Sequence, residues 1–165
     1  MGYQVKISRL GAQALFDLKG ARIDLQEWAG KALPDFPDTA NTACIKGEVI
    51  LMHVGRDHWL AYAPLEHEAS LEAALKPDVA PCDISVVRIS DSLAFFAITG
   101  RDADQVMAIA TPLDVHTRSF PDAGATHSEV FGLKGLIVRQ SGGFLCAVEQ
   151  SFGDMIEDYL KRAIA

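Results

Sequence analysis

A weak internal repeat limits how these 165 residues can fold. The segment Ala14–Gly20 (ALFDLKG) matches Ala94–Gly100 (AFFAITG), 80 positions further along, and each leads from an extended pattern into a helical one. A second match, 85 positions apart, places Trp59–Ala61 over Phe144–Cys146, in both cases between a glycine-bearing hairpin and a helix. A loop insertion between the two matches accounts for the change in spacing. The repeat therefore predicts two related halves.

The order of elements within each half predicts an α+β fold. Short segments rich in branched and aromatic residues alternate with helical patterns, so that each half contains a strand, a helix, two strands and a helix, with an extra strand near its start. This order is close to the split βαβ pattern of ferredoxin-like domains. We predict an N-terminal ferredoxin-like half, residues 1–80, and a C-terminal one, residues 81–165, in one compact unit. Two α+β halves of separate origin are the alternative.

The element boundaries follow from the same patterns. Proline ends the helical patterns because it lacks an N–H donor and restricts the residue before it. Ser90-Asp91-Ser92 is predicted to be a turn that joins two strands, and Ser151 to cap the last helix. The predicted strands are 3–9, 14–19, 43–54, 58–63, 84–89, 94–99, 126–131, 135–140 and 144–149, and the predicted helices are 24–33, 64–75, 102–110 and one that follows Ser151.

Charge and hydropathy exclude several classes of partner. Lys and Arg number 15 against 22 Asp and Glu, and a net charge of −7 has the wrong sign for binding a nucleic-acid backbone. No stretch approaches the ~18 consecutive apolar residues of a membrane span, and the first residues lack the apolar segment of a signal peptide. We therefore expect a cytoplasmic protein. Three widely spaced cysteines, at 44, 82 and 146, indicate free thiols rather than disulfides or a zinc site.

No catalytic, cofactor-binding or metal-binding constellation is predicted. The five histidines show no metalloprotease spacing, and Asp114-x-His116 lacks a third ligand in sequence. No nucleophile elbow occurs, no cysteine adjoins a histidine or lysine, and neither glycine-rich nucleotide motif is present. The acidic residues fit solvated faces better than an acid–base pair. We thus expect no catalytic residues, no cofactor ligands and no metal ligands in this chain.

Two stretches nevertheless resemble a known family, the gamma subunit of heterotetrameric sarcosine oxidase. Ile50–Pro64 resembles its strand, glycine turn, tryptophan strand and proline. Ala94–Ala103 resembles its Phe-x-Ile-x-Gly-x-Asp-Ala strand, and Thr111–Pro121 (TPLDVHTRSFP) resembles its Pro-Leu-Asp-x-His and Phe-Pro loop. The hairpin and helix at the C-terminus agree as well, so the resemblance spans most of residues 14–162.

The resemblance implies a fold and an accessory role. Such subunits share the folate-binding fold of the glycine-cleavage aminomethyltransferases, which is built from ferredoxin-like halves. The enzyme demethylates sarcosine oxidatively to glycine, forms peroxide and passes the one-carbon unit to tetrahydrofolate. Its FAD, FMN, NAD and tetrahydrofolate are held mainly by larger subunits. The resemblance thus implies a non-catalytic subunit that binds none of these cofactors alone and has larger flavin-containing subunits as partners.

Trp59 and the loop at 111–121 are the candidates for a partner interface. Aromatic anchors dominate interfaces, and a loop framed by prolines is partly ordered before binding. The candidate residues are Trp59, Pro112, Asp114, His116 and Phe120. A core position for Trp59, and a bond between Asp114 and His116 that only shapes the loop, are the structural alternatives. Two other functions remain open: a free-standing folate-binding or one-carbon-transfer module, and a small unrelated enzyme that uses Asp114 and His116.

Overall fold

The computed structural model of the protein describes residues 2–165, and within them two antiparallel five-stranded sheets are combined with four α-helices. Three short 3-10 turns, at Leu65–His67, Pro77–Val79 and Gln150–Phe152, complete the elements. The strands are Lys6–Arg9 (β1), Gln13–Lys19 (β2), Ala43–Lys46 (β3), Val49–Gly55 (β4), His58–Pro64 (β5), Ser85–Arg88 (β6), Leu93–Thr99 (β7), Ala125–Val130 (β8), Leu133–Gln140 (β9) and Gly143–Glu149 (β10). The helices are Arg22–Ala29 (α1), Glu68–Leu75 (α2), Ala103–Ala110 (α3) and Gly153–Ala163 (α4).

The chain forms two compact units. One is continuous in sequence, Ala12–Ser90, and is called here the 12–90 unit. The other combines the residues up to Gly11 with Asp91–Ala165 and is called the split unit. The sheet of the 12–90 unit has the order β3-β4-β5-β2-β6, and that of the split unit has the order β8-β9-β10-β7-β1. Each unit therefore has one sheet and two α-helices.

The two units repeat the same topology. In chain order, β2, α1, β3, β4, β5 and α2 of the 12–90 unit correspond to β7, α3, β8, β9, β10 and α4 of the split unit. Leaving aside β3 and β8, each sheet has the ferredoxin-like arrangement, in which a fourth strand lies beside the first. β6 fills that position beside β2, and β1 fills it beside β7. The predicted α+β fold with ferredoxin-like units is confirmed.

The fourth strands are where the chain departs from a simple tandem repeat. In the 12–90 unit the fourth strand follows α2, whereas in the split unit it comes from the start of the chain. The division into halves 1–80 and 81–165 stays a prediction about the repeat, and the compact units change at residues 11/12 and 90/91 instead. The sequence pattern predicted strands at 84–89 and 94–99 joined by a turn. In the structure these strands belong to different sheets, because β6 pairs with β2, while β7 pairs with β1 and β10.

Two equivalent glycines explain how each fourth strand approaches the first. Gly20 and Gly100 end the matched segments, with φ of 138° and 134°, a backbone region that L side chains rarely adopt. A Cβ at Gly20 would lie 2.8 Å from Cγ2 of Ile84, just before β6. A Cβ at Gly100 would lie 3.0 Å from Cα of Val5, just before β1. The glycines thus leave room for the backbone that enters the fourth strand.

The helix predicted over 24–33 is shorter in the structure, because α1 ends at Ala29, before Gly30 at φ 54°. Two other element predictions need correction. The segment 43–54 is not one strand, because Gly47 at φ 60° and Glu48 form a turn that separates β3 from β4. Ser151 does not cap α4, because it lies in the preceding 3-10 turn and its hydroxyl donates to Oε2 of Glu149 at 2.8 Å. The amphipathic pattern of α4 is nevertheless correct, since Ile156 and Leu160 are fully buried in the core of the split unit.

Candidate functional site

The loop at 111–121 connects α3 to β8 in the split unit and alternates buried with exposed positions. Val115 and Phe120 are buried, with 5% and 4% of their surface exposed. Pro112, Asp114 and His116 are exposed. The two buried side chains thus fix the loop to the core of the split unit, and the polar residues between them are presented to solvent.

Asp114 organises the exposed part of the loop. Its Oδ1 accepts the backbone N–H of His116 at 3.0 Å, and its Oδ2 accepts the hydroxyl of Ser119 at 2.5 Å. His116 in turn accepts the backbone N–H of Arg118 through Nδ1 at 3.1 Å. The Ser119 hydroxyl, followed by the His116 N–H, lowers the pKa of Asp114 because both donate to the charged form. Asp114 is therefore bonded to the backbone of His116, and the His116 imidazole accepts the N–H of Arg118 instead.

Arg139 on β9 holds the loop in place through hydrogen bonds to two of its carbonyl groups. It is 6% exposed, its Nε donates to the carbonyl of Phe120 at 2.6 Å, and one of its terminal nitrogens donates to the carbonyl of Val115. The other terminal nitrogen contacts Oδ1 of Asp104 at 3.1 Å, and the guanidinium lies 4.5 Å from the ring centroid of Phe144. Each of its three hydrogen-bonding directions thus has an acceptor, as a buried arginine requires.

Arg139 is the residue supporting the loop that sequence reasoning missed. The signal was a charged residue two positions after Ile137, which is fully buried in the core of the split unit. Side chains two positions apart on a strand point to the same face, so Arg139 was placed to enter the protein interior. A buried guanidinium must be paired, and unpaired loop carbonyls are suitable acceptors.

Trp59 belongs to the 12–90 unit, whereas the loop belongs to the split unit. It is 2% exposed and packs in the core of that unit, with its ring edge-on to Phe36 at a centroid distance of 5.5 Å. It also stacks on His53 at 4.8 Å, with 18° between the ring planes. Of the five candidate interface residues, four share one loop and Trp59 occupies the core position given as its alternative. Only Pro112, Asp114 and His116 among them are exposed.

Two of the three cysteines, Cys44 and Cys146, are poorly suited to act as thiol nucleophiles. Burial raises the pKa of Cys146, which is fully buried, to about 12, so its thiol stays protonated at neutral pH. Burial, with a smaller contribution from the charge of Asp35, also raises the pKa of Cys44. A thiol nucleophile needs the opposite shift.

One group of side chains has the composition of a metal site, although the sequence did not suggest it. Glu48, Glu66 and His67 place one ligand atom each within 4.8 Å of one another. Both glutamates are exposed, and His67 Nε2 lies 2.9 Å from Oε2 of Glu48. The geometry is that of a surface hydrogen bond between an imidazole and a carboxylate, and such a contact requires no metal.

Membrane insertion through a helix finds no support in the part of the chain that is described, residues 2–165. None of its helices is both long enough and apolar enough to cross a bilayer.

Comparison with known proteins places these features in a family. The model of the family described as "Sarcosine oxidase, gamma subunit family" matches residues 26–165. This range includes all five candidate interface residues and Arg139. No curated protein matches the chain in sequence.

Solved structures show the same fold. The structure of heterotetrameric sarcosine oxidase from Corynebacterium sp. U-96 is similar with a TM-score of 0.81 and 18% identity, over 97% of this chain and 83% of that chain. Glycine cleavage system aminomethyltransferase T from Bartonella henselae is similar with a TM-score of 0.69 and 13% identity, over 95% of this chain. The match covers 45% of the aminomethyltransferase, so this chain spans about half of its length.

Proposed function

This chain belongs to the sarcosine oxidase gamma subunit family, and from that premise we propose that it acts as a non-catalytic subunit within a heterotetrameric sarcosine oxidase. The observation that carries the proposal is the family match over residues 26–165, which includes the whole 111–121 loop. Family membership makes the chain one subunit of a complex. Its fold is also that of a chain in a solved heterotetrameric sarcosine oxidase.

The proposed partners are the larger, flavin-containing subunits of that oxidase. They would hold FAD, FMN, NAD and tetrahydrofolate and carry out the reaction, in which sarcosine is demethylated to glycine with formation of peroxide and transfer of the one-carbon unit. The chain described here would bind none of these cofactors alone. The raised pKa values of Cys44 and Cys146 support this division, because they leave both thiols poorly suited to nucleophilic chemistry. The assembled enzyme is proposed to be cytoplasmic.

The surface proposed to contact a larger subunit is the exposed part of the 111–121 loop. Pro112, Asp114 and His116 would make the contacts, while Phe120 and Arg139 hold the loop in shape beneath them. A loop that is already hydrogen-bonded loses little conformational freedom on binding, so more of the contact energy remains for association. Exposed polar side chains are also typical of the rim of an interface.

Co-expression with the larger subunits of a sarcosine oxidase tests the proposal. We expect the chain to co-elute with them on size-exclusion chromatography. In a pull-down assay, the double substitution Asp114→Ala with His116→Ala should weaken binding about ten-fold, the size expected for losing interface residues of moderate importance. Asp122→Ala, an exposed position just beyond the loop, is the matched control.

The two levels of the proposal can fail separately. A chain that remains monomeric beside the flavin-containing subunits would contradict the proposed function. Co-elution of the double variant with unchanged affinity would leave the function intact but contradict the assignment of the loop. The alternative of a free-standing folate-binding module predicts instead that the isolated chain releases or absorbs heat when titrated with tetrahydrofolate.

A further inference from the structure

The 12–90 unit contains a pocket of about 380 Å³ that the proposed function does not use. Its walls come from the segment at 37–40, which precedes β3, and from β4, β5 and the turn that connects them. Trp59 and His53 line it, together with the apolar side chains of Pro37 and Ala40. The pocket thus combines an aromatic wall with a small apolar surface, which is typical of sites that take small organic molecules.

Two nitrogen atoms in this wall are buried without a hydrogen-bond partner among the described residues 2–165: Nε1 of Trp59 and Nδ1 of His53. Trp59 is 2% exposed, and an indole N–H can only donate. Leaving such a donor unpaired is unfavourable, because it has lost its hydrogen bonds to water without replacement. Neither nitrogen is exposed to solvent in this structure, so a molecule that bonds to them must displace a neighbouring side chain as it enters. An oxygen acceptor would satisfy the indole.

Two arginines and two aspartates line the pocket, and one of the arginines keeps donors that an anionic acceptor can use. Arg22 and Asp38 form an ion pair, so each neutralises the other. Arg56 is different, because its side chain is 96% exposed and its Nε lies 3.7 Å from Oδ2 of Asp57, beyond hydrogen-bond distance. The guanidinium of Arg56 therefore has donors available to a ligand at the mouth. A carboxylate can accept from such a fork and from a ring N–H at the same time.

We infer that this pocket binds a small organic carboxylate, with its carboxylate group near Trp59 and Arg56 and its apolar body against Pro37 and Ala40. His53 Nδ1 is a second ring nitrogen without a partner, which donates to a carboxylate when it carries the proton, and the His53 ring stacks on Trp59. The inference is independent of the proposed function, because none of these residues belongs to the 111–121 loop. Inorganic phosphate shares the charge but lacks the apolar body, so it serves as a competing probe.

The indole resonances of the full 165-residue chain give a direct test. Trp59 and Trp28 each contribute one indole N–H signal in a ¹H–¹⁵N spectrum, and Trp28 is an internal control because its N–H already donates to the carbonyl of Leu75 at 2.5 Å. Trp28→Phe assigns the two signals. Titration with benzoate should move the Trp59 signal in a saturable way and leave that of Trp28 in place. Benzamide, which is neutral and has the same shape, should bind at least five-fold more weakly.

Charge removal at the mouth completes the test. Arg56→Gln should weaken benzoate binding about three- to five-fold, the effect expected for one exposed charge. Arg101→Gln, which removes an exposed arginine from the split unit, should leave it unchanged. A Trp59 signal that stays fixed up to 50 mM benzoate overturns the inference. So does an equal response to benzamide, a response to phosphate alone, or equal affinities of the two arginine variants.

Discussion

At the scale of single residues, burial divides the candidate interface residues into two groups, those exposed on the 111–121 loop and those buried. Trp59 and Phe120 are aromatic residues of the kind found in interfaces, yet both are buried within their own unit. Position in sequence did not reveal this, because burial depends on which strand or loop covers the ring. Arg139 shows the opposite case: its burial was not predicted, although strand periodicity places it on the same face as Ile137, two residues earlier. Its acceptors, two loop carbonyls, could be identified only from the structure.

The Asp114 carboxylate makes the stability of the loop depend on pH. Its pKa in the folded chain is lowered from an ordinary value of 3.8 by the hydrogen bonds from Ser119 and His116. A lowered pKa means that the contribution to stability is fully present above pH 3.8 and is lost as the pH falls through the pKa of the folded state. Asp114→Asn removes this ionisation. We therefore expect the difference in stability between wild type and variant to shrink progressively below pH 3.8.

Urea unfolding of both proteins between pH 2.5 and pH 6 measures this difference. Asp122→Asn, an exposed position near the end of the loop, controls for the loss of a negative charge. A difference between wild type and Asp114→Asn that stays constant across this range would mean that the carboxylate does not stabilise the loop through its charge.

At the scale of secondary-structure elements, the sequence located most strands and helices but not their partners. Alternating apolar residues indicate a strand whatever it pairs with, because every strand of a sheet presents the same pattern. β6 and β7 were thus predicted as strands, and their separate sheets were not. Two hydrogen bonds just after β6 hold it beside β2. Ile89 N–H donates to the carbonyl of Leu15 at 2.8 Å, and Ser90 Oγ accepts from Leu15 N–H at 3.1 Å. No local pattern encodes contacts over 70 residues.

The match between Gly20 and Gly100 corresponds to the same backbone conformation in the two units. It predicts that Gly100 is sensitive to substitution. In Gly100→Ala the new Cβ would press against the carbonyl of Gln4 and the Cα of Val5, with the backbone held at φ 134°. We expect a loss of about 2 kcal/mol or more in the free energy of unfolding, together with loosening of β1. Urea unfolding measures the first, and hydrogen exchange of the Ile7 amide, on β1, measures the second.

Gly11→Ala is the matched control, because a Cβ there meets nothing within 4 Å. It should change the free energy of unfolding by less than about 0.5 kcal/mol, as surface substitutions usually do. Equal stabilities of the two alanine variants would contradict the close approach of β1 at Gly100.

At the scale of the whole molecule, the repeat correctly indicated the fold, and the composition was less informative. Hydrophobic residues make up 49% of the chain, but this fraction fits two cores as well as a surface reserved for a partner. The repeat was visible in the sequence because the first strand of each unit pairs with a fourth strand, and the glycine after it leaves room for that strand's backbone. The repeat could not show which unit each fourth strand joins, because β1 and β6 are both short and each precedes the first strand of a unit.

The limits of the 12–90 unit predict which fragment folds alone. Residues 12–90 contain a complete five-stranded sheet with its own core, and a chain of about 80 residues is large enough to fold independently. Residues 1–80 lack β6 and keep β1 without the strand to which it pairs. We expect the first fragment to unfold cooperatively with dispersed amide resonances, and the second to be far less ordered. Circular dichroism and ¹H–¹⁵N spectra of both fragments measure this.

The comparison of the two fragments could also contradict the prediction. A 1–80 fragment as stable as the 12–90 fragment would show that β6 is dispensable, and that the unit boundary near residue 90 has no energetic meaning.

The place of β1 in the split unit determines the order in which the protein can be completed during translation. β1 leaves the ribosome before the other nine strands, yet Lys6 pairs with Thr99, which is synthesised more than 90 residues later. At roughly 5–20 residues per second this is a wait of several seconds, during which the 12–90 unit can finish its own sheet. Arg9 waits longer still, because it forms ion pairs with Asp154 and Glu157 of α4. The first strand to be made is therefore among the last elements to be fixed.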